Sequence, residues 1–478
     1  MRELLDLDME GRWVDISGAS VLQPSTGKKL LGLRMGTAHD VNSACDKAAE
    51  VQSNWFSLAW EERSAVFRKA ADLLEQNADL YIDWLVKESG SVGAKAGFEI
   101  SIVVKVLRES SAMPSQPAGL VLPTQSGKLS FCRRMPLGVV GVISPFNFPM
   151  YLAMRAIAPA LAIGNTVVLK PDPRTSVSGG LLLQQLLVAA GLPEGVFHVV
   201  PGQADAGEAL CTHPKVAMIQ FTGSTAVGRK IGALAGGHLK KLSLELGGKN
   251  SLIILDDADL DIAASNAAWS AFLHQGQICM ASGRILVHES IHDQLLERIV
   301  AKAGGLPLGD PSASECAIGP LIGEPQATKA RALVDAAVAE GAMLVTGGKN
   351  TGAFFTPAVL TGVKPGMRAF EEEFFAPVAS LTKFRTDEEA IDLANATEYG
   401  LSAAIISNST SRALAIGERL NTGLLHINDQ TVVDEVVNPF GGRGNSGNGT
   451  SIGGPANWDE FSQWQWVTIK DTPIQYPF

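Results

Sequence analysis

The sequence has no Cys-x-x-Cys pair, no uninterrupted apolar run long enough to cross a membrane, no basic stripe and no internal repeat. Each absence narrows the class of protein. The five cysteines, Cys45, Cys132, Cys211, Cys279 and Cys316, are odd in number and scattered. That argues against a disulfide framework or a zinc ribbon and for a reducing compartment. The most apolar region, 138–170, is interrupted by Pro145, Asn147, Pro149, Arg155, Pro159 and Asn165, so a membrane role is not expected. The opening MRELLDLDMEGRW carries acidic residues where an export signal needs a basic stretch and an apolar core, and a cytoplasmic protein is expected. A net charge of -10 without interleaved basic and aromatic residues argues against a nucleic-acid partner and reads as solubility.

What is present points to a large enzyme. A chain of 478 residues, 46% hydrophobic, exceeds one compact unit, so two or more domains are expected. From His39 to about Val92 apolar residues recur at helical spacing, as in SAVFRKAADLLEQNADLYIDWLV, and a third amphipathic segment follows near Ile102 to Ser111. From Gly138 to Leu246 the strand-like runs GVVGVISP, NTVVLK, GVFHVV, AMIQFTG and KLSLEL alternate with helical stretches. A second series follows from Ser251 in SLIILDDADL, ILVHESI, MLVTGG, SAAIISN and GLLHIND. Such alternation predicts an α/β protein with parallel sheets covered on both faces. The segments VLPTQSGKLSFCRRMPL and WQWVTIKDTPIQYPF read as short strands that could pair into a small separate sheet.

One stretch, Leu244 to Arg284, gathers the chemistry. It opens with Glu245 in an apolar run ending in Gly-Gly and closes with Cys279 between Gly276 and Gly283. A nucleophilic cysteine needs an accessible, partly ionised thiol, because the ordinary pKa of about 8.5 leaves little thiolate near neutrality. Flanking glycines would let backbone approach a substrate and turn the Cys279 N–H toward an oxyanion. On spacing alone a buried structural thiol is the other reading. Asn147, between prolines in PFNFP, offers a fixed amide donor for an oxyanion, or is simply a turn residue. The turn FTGSTAVG places Gly223 and Ser224 at a helix N-terminus, where backbone N–H groups favour a pyrophosphate.

LELGGK and GQIC, in this order and at this distance, resemble the two signatures of the aldehyde dehydrogenase superfamily, and the resemblance covers nearly the whole chain. It implies an aldehyde dehydrogenase-like fold of two successive parallel-sheet α/β domains plus a small β oligomerisation element. The implied boundaries are 1–120 and 137–246 for a NAD-binding domain, 247–445 for a catalytic domain, and 121–136 with 455–478 for the oligomerisation strands of a homodimer or homotetramer. It implies oxidation of a small aldehyde to the acid. Cys279 attacks to give a thiohemiacetal and then a thioester, Asn147 and the Cys279 N–H hold the oxyanion, and Glu245, raised in pKa by its apolar neighbours, activates water. It also implies a cofactor site of Ser144, Phe146, Lys170, Gly223, Ser224, Glu373 and Phe375. Glu373 and Phe375 stand in EEEFFAP, which resembles the family element EE-x-F-G-P with Ala376 in place of glycine, and whose bland reading is a solvated acidic turn. KPDP puts Pro173 where the family often has a glutamate, which removes one barrier to NADP; Asp172 beside it keeps negative charge nearby and no new arginine pair is evident, so NAD is expected and NADP is the alternative. The competing functions are a CoA-acylating relative, which the presence of Glu245 disfavours, and a non-catalytic binding relative.

Two motif matches are set aside. HESIH matches a zinc-protease pattern, but RILVHESI is strand-like, so His288 and His292 are not one turn apart on a single helix. Gly442, Gly444 and Gly447 spell G-x-G-x-x-G without a preceding strand or a following helix. Finally, HINDQTVVDEVVNPFGG and KPDPRT most resemble the benzaldehyde dehydrogenase branch. An aromatic ring needs a flat apolar slot, for which Phe148, Ile278, Met280 and Phe440 are candidates. Arg155 is a candidate contact for a ring hydroxyl or the product carboxylate, or else a solvated or interdomain-paired arginine.

Overall fold

The apolar runs VVGVI, TVVLK, FHV, VAMIQFT and KLSLE form one five-stranded sheet in the computed structural model, which describes residues 13–478. The boundary expected at residue 1 lies outside the described residues. The spatial order is Phe197–Val199, Thr166–Lys170, Val139–Ile143, Val216–Thr222, Lys241–Glu245, and every pairing is parallel. Both faces are covered, so Val139–Ile143 and Thr166–Lys170 are buried at every position and read as continuous apolar runs rather than alternating ones. Chain order runs outward in one direction from Val139–Ile143 and then resumes on its other side at Val216–Thr222. Ligand crevices open at such a reversal, outside the carboxyl ends of the strands.

The second sheet has seven strands, ordered Met343–Thr346, Ala358–Thr361, Val378–Phe384, Arg284–His288, Ser251–Ile254, Ser402–Ile406, Leu424–Ile427. Two of these, Ala358–Thr361 and Val378–Phe384, are absent from the sequence reading. The edge strand Met343–Thr346 pairs antiparallel, so this sheet is mixed rather than wholly parallel. The amino-terminal layer comprises Ala38–Ser57, Trp60–Gln76, Ala78–Ser89 and Gly93–Ala112; the amphipathic segment expected near Ile102 is the second half of the last. A three-stranded antiparallel sheet joins Gly119–Val121, Leu129–Pro136 and Ser462–Ile469, bringing together segments more than 300 residues apart in sequence. Among the described residues no helix is long and apolar enough to cross a membrane.

Between the first sheet and the helical layer runs Pro149–Ile163, buried at every residue except Leu152. Proline at its first position suits a helix start, and Gly164 closes it in the left-handed region at φ 107°. Its last carbonyls are capped from outside: Trp55 Nε1 donates to Leu161 O at 2.9 Å and an Arg63 guanidinium nitrogen to Ala162 O at 3.0 Å. A buried helix end needs such partners.

Candidate active site

The carboxyl ends of four parallel strands, at Ile143, Lys170, Thr222 and Glu245, open into one cavity of about 580 Å³. It is also lined by Ser144, Phe146, Asn147, Gly223, Ser224, Cys279, Glu373 and Phe375. All three catalytic candidates and all seven cofactor candidates therefore share one cavity. The five substrate candidates do not line it. Phe148 turns its ring onto the Lys95 ammonium at 4.1 Å and edges His274 at 5.3 Å, while Ile278, Met280 and Phe440 are packed into the interior. Arg155 is neither solvated nor open to the cavity. It is ion-paired with Asp434, donates to Tyr151 Oη at 2.9 Å and Ile452 O at 3.1 Å, and lies over the Phe440 ring at 4.6 Å. Tyr151 Oη donates to the same carboxylate at 2.7 Å. The pairing reading of this arginine is the one the geometry carries.

The loop bearing Cys279 is pinned on both sides. Asn250 Nδ2 donates to Cys279 O at 2.8 Å and to Ala281 O at 2.9 Å, and Gln275 Nε2 donates to Gly90 O and Pro320 O. The preceding turn is strained, with His274 and Gln275 at φ 49° and 57°. Such non-glycine conformations cost on the order of 1–3 kcal/mol each and gather at functional sites. Gly276 is obligatory here: its φ is +66°, and a Cβ would stand 2.2 Å from Ala376 O. No acceptor among the described residues takes the Cys279 N–H. Asn147 Nδ2 donates to Gln277 O at 2.8 Å, which brings its amide to the same loop and leaves one amide hydrogen for a further acceptor.

Electrostatically the pair differs from the sequence expectation of a partly ionised thiol. Burial pushes the Cys279 thiol well above the ordinary cysteine range, and the carboxylates of Glu373, Glu245 and Asp434 push the same way against Arg155. Glu245, at the end of Lys241–Glu245, is buried with neither oxygen hydrogen-bonded. Burial raises its carboxyl well above the usual range; Arg155 opposes, while Asp434 and Glu460 add to the rise. Glu245 is removed from water without a hydrogen-bonding partner, which favours its protonated form, whereas Cys279 is only half-buried and faces the cavity.

The far wall suits a nucleotide. Lys170, buried, donates to Pro171 O at 3.1 Å and keeps further hydrogens for a ligand. Gly223 and Ser224 precede the helix Thr225–Gly237, presenting its N-terminus to the cavity. Glu373 is raised to about 7 by burial, against the Gly248 N–H and Lys249. It stands against Gly247, whose Cβ would come within 2.5 Å of Glu373 Oε2. Phe375, at φ 48°, meets Phe146 edge-on at 5.7 Å, and Gln326 Nε2 holds its carbonyl. Asp172 and Arg174 close on each other through bonds of 2.8 and 2.7 Å, with Arg174 stacked on Phe146 at 4.2 Å. Sequence reading missed Lys95, Tyr151, Asp434 and Gln326. The Lys95–Glu99 spacing of four was the only local signal.

Neither set-aside motif forms the site its pattern suggests. His288 ends a strand and bonds Ser290 and Arg385 O, whereas His292 starts a helix and bonds Asp293 and Thr361. Arg443–Gly444 pairs with Tyr399–Gly400, and Gly447 bridges to Glu245.

A parallel-sheet crevice that brings a cysteine, an amide and a buried carboxyl to one cavity defines an enzyme of covalent catalysis with a nucleotide-sized second compartment. The aldehyde dehydrogenase family model matches residues 13–467, and the chain belongs to the aldehyde dehydrogenase family. It is 47% identical to a vanillin dehydrogenase of Amycolatopsis sp., covering 98% of this chain and 97% of that protein. It is 45% identical to a benzaldehyde dehydrogenase [NAD(+)] of Pseudomonas putida, covering 98% and 96%. Among solved structures, a salicylaldehyde dehydrogenase from Pseudomonas putida G7 complexed with salicylaldehyde superposes with a TM-score of 0.92 at 34% identity, covering 98% and 99%. A betaine aldehyde dehydrogenase from Staphylococcus aureus in complex with NAD+ gives 0.94 at 28% identity, covering 100% and 98%.

Proposed function

We propose that this enzyme oxidises an aromatic aldehyde to the carboxylic acid with NAD. The meeting of Cys279, Asn147 and Glu245 in one cavity carries the reading. Cys279 Sγ bonds to the carbonyl carbon as its proton passes to water in the cavity, and the carbonyl oxygen takes the negative charge as the thiohemiacetal forms. That charge is held by the Asn147 amide and the Cys279 N–H; losing one such donor costs on the order of a hundredfold or more. NAD, when bound, supplies the hydride acceptor. Lys170, Gly223, Ser224 and Glu373 would hold it, with Phe146, Phe375 and Ser144 at its side. Glu245, once ionised, takes a proton from the water that opens the thioester, releasing the acid and returning the thiol. An acylating role with coenzyme A would leave this carboxyl without work.

The aromatic assignment is supported by the relatives, whose names specify vanillin, benzaldehyde and salicylaldehyde. The preference for NAD over NADP is supported by Asp172, which keeps a carboxylate beside Lys170 and engages the nearest arginine. The domain reading is that 1–120 and 137–246 form the NAD-binding domain, 247–445 the catalytic domain, and 121–136 with 455–478 the oligomerisation strands. Trp464, Trp466, Leu120 and Val121, all exposed on the small sheet, suit contact with a second copy. Five free cysteines suit the cytoplasm. The test is kcat/KM across benzaldehyde, vanillin, acetaldehyde and betaine aldehyde with each cofactor, with product identified as acid and particle mass measured in parallel. Aromatic aldehydes with NAD are expected to lead by far. Equal efficiency for acetaldehyde removes the aromatic reading, a higher efficiency with NADP removes the cofactor preference, and a monomeric mass removes the assembly.

A further inference from the structure

We propose that Lys95, braced by Glu99, is a positioning residue that fixes the Asn147 amide against the nucleophile loop. The inference rests on the oxyanion role given to Asn147 above. Lys95 and Glu99 lie one turn apart on Gly93–Ala112, and both point inward, at 4% and 0% exposure. All three ammonium hydrogens are committed: to Ser91 Oγ at 3.0 Å, Glu99 Oε2 at 2.6 Å and Asn147 O at 2.7 Å. The other carboxylate oxygen of Glu99 accepts from Met150 N at 2.9 Å and Tyr151 N at 3.1 Å, the first turn of Pro149–Ile163.

A buried ion pair is weak support for stability, since desolvation offsets the attraction. Its placement is what matters here. Lys95 grips the carbonyl of the one residue whose side chain reaches across to Gln277 O, and Glu99 grips the two N–H groups just beyond. Between the grips stands Phe148, with its ring on the ammonium at 4.1 Å and its edge toward His274 at 5.3 Å. His274 belongs to the strained turn that precedes Cys279. One cation thus touches the donor loop directly and the nucleophile loop through a single ring. Without it the Asn147 carbonyl keeps only the neighbouring His274 ring, and the amide loses its fixed direction toward the developing charge.

The experiment is a two-by-two comparison of Lys95→Met and Asn147→Ala in the full chain, reading the first turnover of benzaldehyde with NAD by stopped flow, with NAD affinity measured separately. Each single variant is expected to slow the first turnover about 10- to 100-fold, the scale of a misplaced or lost oxyanion donor. NAD affinity stays unchanged. The double variant is expected to be no slower than Asn147→Ala alone, because a residue acting through Asn147 has nothing left to position. Losses that multiply, weakened NAD binding, or a normal first turnover in Lys95→Met overturn the proposal. A normal first turnover in Asn147→Ala instead removes the oxyanion reading on which it rests. Since Lys95→Met leaves Glu99 buried without its cation, Lys95→Met with Glu99→Gln is made in parallel. A chain that folds in neither form makes the pair a stability element, and that too overturns the proposal.

Discussion

Two buried ionisable clusters meet near the start of the helix Pro149–Ile163, and they are built on opposite principles. In the Lys95–Glu99 cluster every ammonium hydrogen and both carboxylate oxygens have partners. In the Cys279–Glu245 cluster the carboxyl has none, and burial shifts both groups toward their protonated forms. A satisfied network fixes geometry; an unsatisfied one keeps reactivity in reserve. The difference teaches where to look for work and where for support. The Arg155–Asp434–Tyr151 set is paired like the first kind, save for an unpartnered Arg155 Nε, and lies within electrostatic reach of the second.

The comparison can be broken at its reactive end first. Cys279→Ala is expected to abolish turnover while leaving NAD affinity intact; dehydrogenase activity undiminished in that variant would dissolve the distinction. On the satisfied side, Asp434→Ala strands Arg155, which is only 5% exposed, without its carboxylate. Breaking a buried pair in this way costs about 3–5 kcal/mol, read as a shift in the denaturation midpoint. A loss below about 1 kcal/mol, the scale of a surface pair, would mean that the pair is structurally idle.

The smallest effect has the opposite sign. Above the ordinary carboxyl value of 4.5 an unfolded Glu245 ionises, whereas the folded one keeps its proton. Folding then takes up a proton, and stability falls as pH rises from the unfolded toward the folded pKa. Glutamine does not titrate. Glu245→Gln should therefore be raised in Tm relative to the parent, with a gain near zero below the ordinary value of 4.5 that grows as pH rises above it. Its kinetics should show a burst of reduced cofactor followed by slow steady turnover. A Tm difference that does not vary with pH would show that the carboxyl is not held neutral.

The sequence made one of these clusters legible and hid the other. Glu245 and Cys279 stand in motifs whose order and distance are distinctive, and the strands behind them are continuous apolar runs that a doubly covered sheet requires. Lys95 and Glu99 look, in one dimension, like any solvated pair on a helix face. Only packing turns them inward. Asp434 sits in a loop where no periodicity predicts a partner. Ile278 and Met280 failed as pocket walls because neighbours of a loop residue turn away from it, here into the interior. The strands Ala358–Thr361 and Val378–Phe384 were missed because AVLT is very short and VASLTKF mixes polar with apolar residues. Local pattern reports periodicity; contacts made across 50 residues or more are written in no window.

The surroundings of the half-buried Cys279 thiol also bear on the enzyme at rest. Peroxides, alkylating agents and stray disulfides all attack through the thiolate, and oxidation beyond the sulfenic acid is not readily undone. Surroundings that push the Cys279 thiol upward leave these reagents less thiolate to meet between turnovers. The aldehydes that such an enzyme clears are themselves indiscriminate electrophiles, so its nucleophile works amid a constant supply of wrong partners. Dormancy, then, is the form its durability takes.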